Sequence, residues 1–325
     1  MPGTINDQAA RRRSVGVAIA LLLVYVVWGT TYFAIEVAME SIPPMWLNAS
    51  RFILAGLIMM SLALMRGQRI PPLRQWRNGA VVGGLMVFLA LNMVSYAQKL
   101  GIGSGLMATV VTTMPMWLAL WTRMGGESVP LTSWLGLAVG VVGALLLALE
   151  GDFSAALAGS ILAFAAPLAW SIGSYASRKL ELPPPTMAAA VQWLTGGALG
   201  AIAALSFESL PALAEVTPRA WAAWVYLVIM GTMVALNAYL WLLQNTSAAL
   251  AGSYSFVNPA VALLVGVAFA GEALTGWVFA ALPLIFVALG LILYGKAAVA
   301  LFDRLRGRCP AVVEATAGDP PRQIV

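Results

Sequence analysis

The chain has 325 residues, 61% of them hydrophobic and only 10% charged, with a formal net charge of +5 and a mean hydropathy of +0.88. So apolar a composition cannot be hidden inside a soluble globule, and it defines a polytopic membrane protein. Histidine is absent and the single cysteine, Cys309, has no second thiol to pair with, which excludes histidine triads, histidine proton relays, the usual zinc motifs and a disulfide framework.

Apolar runs separated by proline, glycine or charge predict ten spans, at roughly 15–38, 44–65, 78–98, 104–123, 131–149, 158–177, 187–207, 219–243, 247–270 and 275–298. Residues 1–14 precede them as a cytoplasmic N-terminus. Arg11, Arg12 and Arg13 followed by an apolar run resemble a signal peptide, but the run reaches about residue 38 without a small-residue cleavage site, so it reads as a retained helix. Residues 299–325, with Pro310, Gly318, Pro320 and Pro321, read as a flexible cytoplasmic tail. With the N-terminus inside, 15 of the 18 Lys and Arg fall on the cytoplasmic side. This positive-inside bias favours an even number of spans with both ends in the cytoplasm. The positive charge lies in loops between spans rather than on one folded face, so it argues for a lipid bilayer and against nucleic acid.

The pattern runs twice. Trp28-Gly29, Pro43-Pro44, Arg51-Phe52, Ala90-Leu91-Asn92, Pro115 and Glu127 return about 141 to 145 residues later as Trp170-Ser171, Pro183-Pro184-Pro185, Gln192-Trp193, Ala235-Leu236-Asn237, Pro259 and Glu272. The expected fold is therefore all-α, with ten transmembrane helices in two five-helix repeats, 15–149 and 158–298. An odd number of spans per repeat inverts the second relative to the first.

These marks, together with Tyr32, Gly126, Gly136, Gly140 and Gly143 in the first half and Gly271 and Gly290 in the second, resemble the EamA-domain family of the drug/metabolite transporter superfamily. The resemblance covers about residues 15–298. It implies a ten-helix metabolite carrier, commonly an exporter of amino acids, aromatic or neutral ones among them.

Several constellations could hold a solute. Asn92, Tyr96 and Lys99 match Asn237, Trp241 and Gln244 at a constant offset of 145, and spacings of four and three put each trio on one helix face. Amides are costly in hydrocarbon, so these faces should meet a cavity or another helix. Trp28 and Tyr32 correspond to Trp170 and Ser174, with Tyr175 beside them; rings with a polar edge suit a pocket for a partly apolar solute, and they also suit packing. Pro115 and Pro259 should loosen spans four and nine and can act as hinges, with Tyr254 and Asn258 adding polarity near the second. Arg51 is the only cation well inside a span. Glu36 is placed to pair with it and orient spans one and two; a substrate carboxylate or snorkelling would be the other uses of the charge. Glu127 and Glu272 each precede a span, where a carboxylate complements the helix dipole.

The leading expectation is a carrier for small organic solutes that rocks two repeats around a central site, with no metal or other cofactor implied. A flippase for lipids or lipid-linked sugars and, behind it, a channel are the alternatives. An enzyme is disfavoured because no span holds the paired acids or histidines that catalysis would use. The same shortage of titratable groups argues against obligatory proton coupling. The sequence leaves the oligomeric state open.

Overall fold

The computed structural model describes residues 3–102, 104–148 and 157–270, with scattered residues of 280–299; among the described residues the chain is helical and contains no strand. In chain order the helices are α1 (Gly3–Ala38), α2 (Pro44–Met65), α3 (Leu73–Lys99), α4 in two pieces (Ser104–Val111 and Met114–Met124) and α5 (Leu131–Ala148). They continue as α6 (Leu157–Lys179), α7 (Pro185–Phe207), α8 (Pro218–Asn245) and α9, again in two pieces (Ala248–Gly252 and Tyr254–Ala270). Residues 283–288 and 290–292 are helical and belong to the expected tenth span. Half of that span, Glu272, Cys309 and the tail lie outside the described residues.

Local chemistry sets the helix ends. Proline occupies the first turn of α2, of the second piece of α4, of α7 and of α8, where its missing N–H would have had no partner. Thr217 and Ser247 cap α8 and α9 by accepting from the Ala220 and Leu250 N–H groups, both at 3.2 Å. The helices α2, α3 and α4 all stop the same way. Gly67, Gly101 and Gly126 take positive φ, and the next residue's N–H returns to the carbonyl five residues before it, as in Ile102 to Ala97 at 3.0 Å.

The bundle turns apolar side chains to the outside, as lipid requires, and keeps polar groups within a largely apolar interior. Ile19, Leu22, Leu57, Ile161, Ile202 and Leu205 are exposed, whereas Ser95, Ser171, Ser174, Thr232, Ser253, Ser255 and Asn258 are fully buried. Among the described residues, six helices are long and apolar enough to cross a membrane: α1 from Arg13, α2, α3, α6, α7 and α8. Breaks split α4 and α9 into shorter pieces.

Small residues allow repeat-related helices to touch. α2 runs along α7, where an added Cβ on Gly56 would come within 2.9 Å of the Leu194 nitrogen and one on Gly197 within 3.0 Å of the Ile53 nitrogen. Packing is therefore the role of Gly196 and Gly200, which approach α3 and α2, and of Gly136 and Gly140, which approach Ala288 and Phe256.

Two features depart from the expected plain helices. α3 contains a π-helical stretch at Gly84–Ala90 and α8 one at Leu227–Leu236, at matching places in the two repeats. π stretches interrupt the ordinary hydrogen-bond ladder and often mark functional sites. The α4 break falls at 112–113, immediately before Met114 and Pro115, as the proline led us to expect. In α9 the break falls at Ser253, and Pro259 lies inside the following helix. Gly252 packs on Pro115, leaving 3.0 Å between an added Cβ and the proline ring, so the two breaks meet.

Candidate functional site

Near the middle of the bundle a cavity of about 60 Å³ lies between the two repeats. Trp28, Thr31, Tyr32 and Ile35 of α1, Arg51 and Phe52 of α2, and Leu91 and Val94 of α3 contribute from the first repeat. Pro167 and Trp170 of α6, Gly231 and Leu236 of α8 and Tyr254 of α9 contribute from the second. Such a volume holds only a few water molecules. An aromatic solute entering it must displace side chains.

The rings that close it form one cluster. Trp28 meets Tyr254 at 4.7 Å, Tyr239 at 5.1 Å and Trp170 at 5.5 Å between centroids, the Tyr254 and Trp170 contacts being edge to face. The Trp28 indole donates to the Gly231 carbonyl at 3.1 Å, tying α1 to the π stretch of α8. Tyr239 shares a 2.8 Å hydrogen bond with Ser174, and Tyr25 shares one of 2.7 Å with Ser253 at the α9 break.

Both ends of the bundle are tied across the repeats. At the end carrying Arg13, Arg123 and Arg178, Glu127 binds Lys179 at 2.7 Å and Arg178 at 3.4 Å, and Arg13 donates to the Asn245 carbonyl at 2.8 Å. Lys179, with help from Arg178, holds the Glu127 carboxyl below the usual carboxylate range, despite a smaller opposing effect of burial. This ion-pair role replaces the helix-dipole role expected for Glu127, which stops four residues short of α5. At the opposite end Glu208, just past α7, accepts from the N–H groups of Met45 at 3.0 Å and Trp46 at 3.1 Å in the first turn of α2. It also accepts from the Tyr96 hydroxyl at 2.5 Å. Nearby, Arg219 pairs with Glu40 at 3.3 Å and the Trp224 indole donates to Ser50 at 2.9 Å.

Of the residues expected to hold solute, the structure brings Trp28, Tyr32, Trp170 and Tyr254 to the cavity and places the others elsewhere. Asn92 donates to the Phe88 carbonyl at 2.7 Å and Asn237 to the Met233 carbonyl at 3.0 Å. These repeat-related bonds satisfy backbone groups of the two π stretches, and Asn92 additionally accepts from Asn48 at 3.1 Å. Tyr96 is taken up by Glu208. Tyr175 stands against Gly125 near the Glu127 ion pairs, and Trp241 lies in a shallow surface groove beside Gly16 and Ile19. Asn258 is fully buried behind Tyr32, whose hydroxyl approaches the amide without completing a hydrogen bond.

The expected Glu36–Arg51 ion pair does not form. Arg51 is 4% exposed and turns into the cavity over the Phe52 ring at 4.5 Å, with its Nε and Nη1 unpartnered. Glu36 is exposed and faces a separate outer pocket beside Lys99. The two side chains leave their helices toward different spaces. Thr31, Pro167 and Glu208 escaped the sequence reading, and Phe52 entered it only as part of the repeated pattern; of the first three only Pro167, a proline inside an apolar run, carried a signal.

Residues 15–149 and 157–294 each match the model of the EamA-like transporter family. The chain belongs to that family. Among its relatives, the inner membrane transporter YedA of Escherichia coli (strain K12) is 36% identical over 278 residues, which cover 85% of this chain and 90% of YedA. Protein PecM of Dickeya dadantii (strain 3937) is 26% identical over 270 residues, covering 82% of this chain and 88% of PecM. A solved crystal structure shares the fold with a TM-score of 0.72 at 23% identity, covering 87% of this chain and 98% of its own. The protein is thus a membrane transporter of small molecules built from two EamA repeats.

Proposed function

We propose that the protein is a carrier that moves small, partly apolar organic solutes by alternating access, with the cavity bounded by Trp28, Tyr32, Trp170 and Tyr254 as its solute site. The observation that carries this reading is the position of the cavity, midway along the helices and walled by both repeats, with interrupted helices α3, α4, α8 and α9 around it. Glu127 with Lys179 at one end and Glu208 with the start of α2 at the other are the contacts that open in turn. Helix breaks give such motion its hinges at Thr113 and Ser253. The family resemblance implies amino acids as solutes; the apolar walls suit an apolar or aromatic body, while the described lining offers no carboxylate to an ammonium group. The bias of positive loops orients both termini to the cytoplasm, and the kinship with YedA supports an inner-membrane location. No cofactor enters this cycle.

Alanine at Trp28 or Trp170 should weaken solute transport by more than it lowers the amount of folded protein in the membrane. Alanine at Trp241, outside the cavity, should leave apparent affinity unchanged. Wild-type affinity in both cavity variants would remove the cavity from the transport path.

A further inference from the structure

The cavity wall carries one positive charge and, among the described residues, no negative one. The ion pairs of the described residues, Arg74–Glu181, Arg178–Glu127, Lys179–Glu127 and Arg219–Glu40, lie toward the ends of the bundle, away from Arg51. Arginine cannot shed its proton in a protein, so Arg51 is a permanent buried cation whose planar fork has two donors, Nε and Nη1, without acceptors. Its contact with Phe52 supports the guanidinium from one side but offers no hydrogen bond.

Helix packing does not demand this charge. Gln192 occupies the repeat-related place on α7, equally buried at 3% exposure and neutral. A desolvated charge without a counter-ion is costly, and the ligand that relieves it best is a carboxylate, which neutralises the charge and accepts charge-assisted N–H bonds from the guanidinium. Around Arg51 the wall is apolar or aromatic: Phe52, Ile35, Val94 and the rings of Trp28 and Trp170. A zwitterionic amino acid would satisfy Arg51 but bring an ammonium group to a wall that has ring faces and the hydroxyl residues Thr31, Tyr32 and Tyr254 but no carboxylate among the described residues.

We infer that the cavity selects solutes with a net negative charge, apolar or aromatic monocarboxylates, with Arg51 holding the carboxylate and the aromatic cluster holding the body. This rests on the carrier reading above and narrows it. The test uses full-length protein and three probes of similar shape: 3-phenylpropanoate, its uncharged amide 3-phenylpropanamide, and L-phenylalanine. Ligand-induced thermal stabilisation in detergent gives binding, and flux in proteoliposomes gives transport.

In the wild type the acid should bind at least about tenfold tighter than the amide and tighter than L-phenylalanine. Arg51→Gln, which copies the residue of the second repeat, should reduce the acid-to-amide ratio to about one while changing the amide by less than about threefold. Arg51→Lys, which keeps the charge and loses the fork, should retain an intermediate preference, and it stands in if the Gln variant fails to fold. Equal binding of acid and amide, preference for L-phenylalanine, no binding of the acid at millimolar concentration, or an acid preference that survives in Arg51→Gln would each overturn the assignment. Those outcomes leave the carrier reading in place if some other solute shows saturable flux and exchange. Absence of such flux for every solute in a metabolite panel would instead overturn the carrier reading, and the assignment with it.

Discussion

Neutralising Glu208 isolates one of the two end contacts. Its carboxylate takes two backbone N–H groups at the start of α2 and the Tyr96 hydroxyl, at 3.0, 3.1 and 2.5 Å. Glu208→Gln keeps the size and one acceptor oxygen, so it removes the charge from three hydrogen bonds and from the positive end of the α2 dipole. A charge-assisted bond contributes about 1.5–3 kcal/mol against about 1 for a neutral one, and the dipole about 0.3–1 kcal/mol. Glu208 is half-buried, so solvent screening reduces these figures, leaving about 1–2 kcal/mol. That corresponds to about a 5- to 30-fold increase in the open population at this end. The assay places a single cysteine at Leu91, which lines the cavity, in a Cys309→Ser background. A membrane-impermeant maleimide is then applied from the Glu208 side. Labelling should accelerate by that factor in Glu208→Gln. A rate within twofold of the parent would refute the view that Glu208 holds this end closed.

Further expectations follow from packing and charge. Gly83→Ala would put a Cβ 2.1 Å from the Gln192 carbonyl oxygen in the α3–α7 contact, whereas Gly84→Ala meets only Leu199 at 3.6 Å. The first should cost more than the usual 1–3 kcal/mol of overpacking, about a complete loss of folded protein, and the second should melt like the parent in detergent. Because Lys179 lowers the Glu127 carboxyl in the folded protein, this contact stabilises above the unfolded carboxylate value and is lost only as pH falls through the lower folded value. Mild acid should therefore leave labelling from the Glu127 side unchanged, with acceleration confined to more acidic solution. Transport of a net-neutral solute should not be driven uphill by a pH gradient at clamped voltage, since Glu36, Glu40, Glu127, Glu181 and Glu208 all stand near helix ends or in loops. Accumulation under that gradient would show a coupled proton.

The sequence made the architecture legible because each clue was local. Proline, glycine and charge mark helix ends, and a constant offset of 145 between Asn92 and Asn237 exposes the repeat without any three-dimensional information. Trp28 and Trp170 were legible as cavity residues for a similar reason: large rings with a polar edge stand near the centres of otherwise apolar runs. Side-chain direction was harder. A four-three spacing shows that Asn92 and Tyr96 share a face but not where it points, and the π stretch before each asparagine turns that face relative to the helix behind it. The freed backbone groups then claim both amides. The bond of Tyr96 to Glu208 was not legible because the two are 112 residues apart, Glu208 at the end of another helix. Arg51 and Glu36 were at plausible depths for a pair, yet only the packing of α2 against its neighbours decides that Arg51 turns inward.

Counterflow in proteoliposomes tests alternating access around this cavity most directly. Vesicles preloaded with unlabelled solute should take up labelled solute transiently above its equilibrium level, because a carrier returns faster when loaded, and Trp28→Ala should abolish that overshoot. Uptake that rises linearly with concentration, shows no overshoot and is indifferent to Trp28 would contradict a carrier whose solute site is the Trp28–Trp170 cavity.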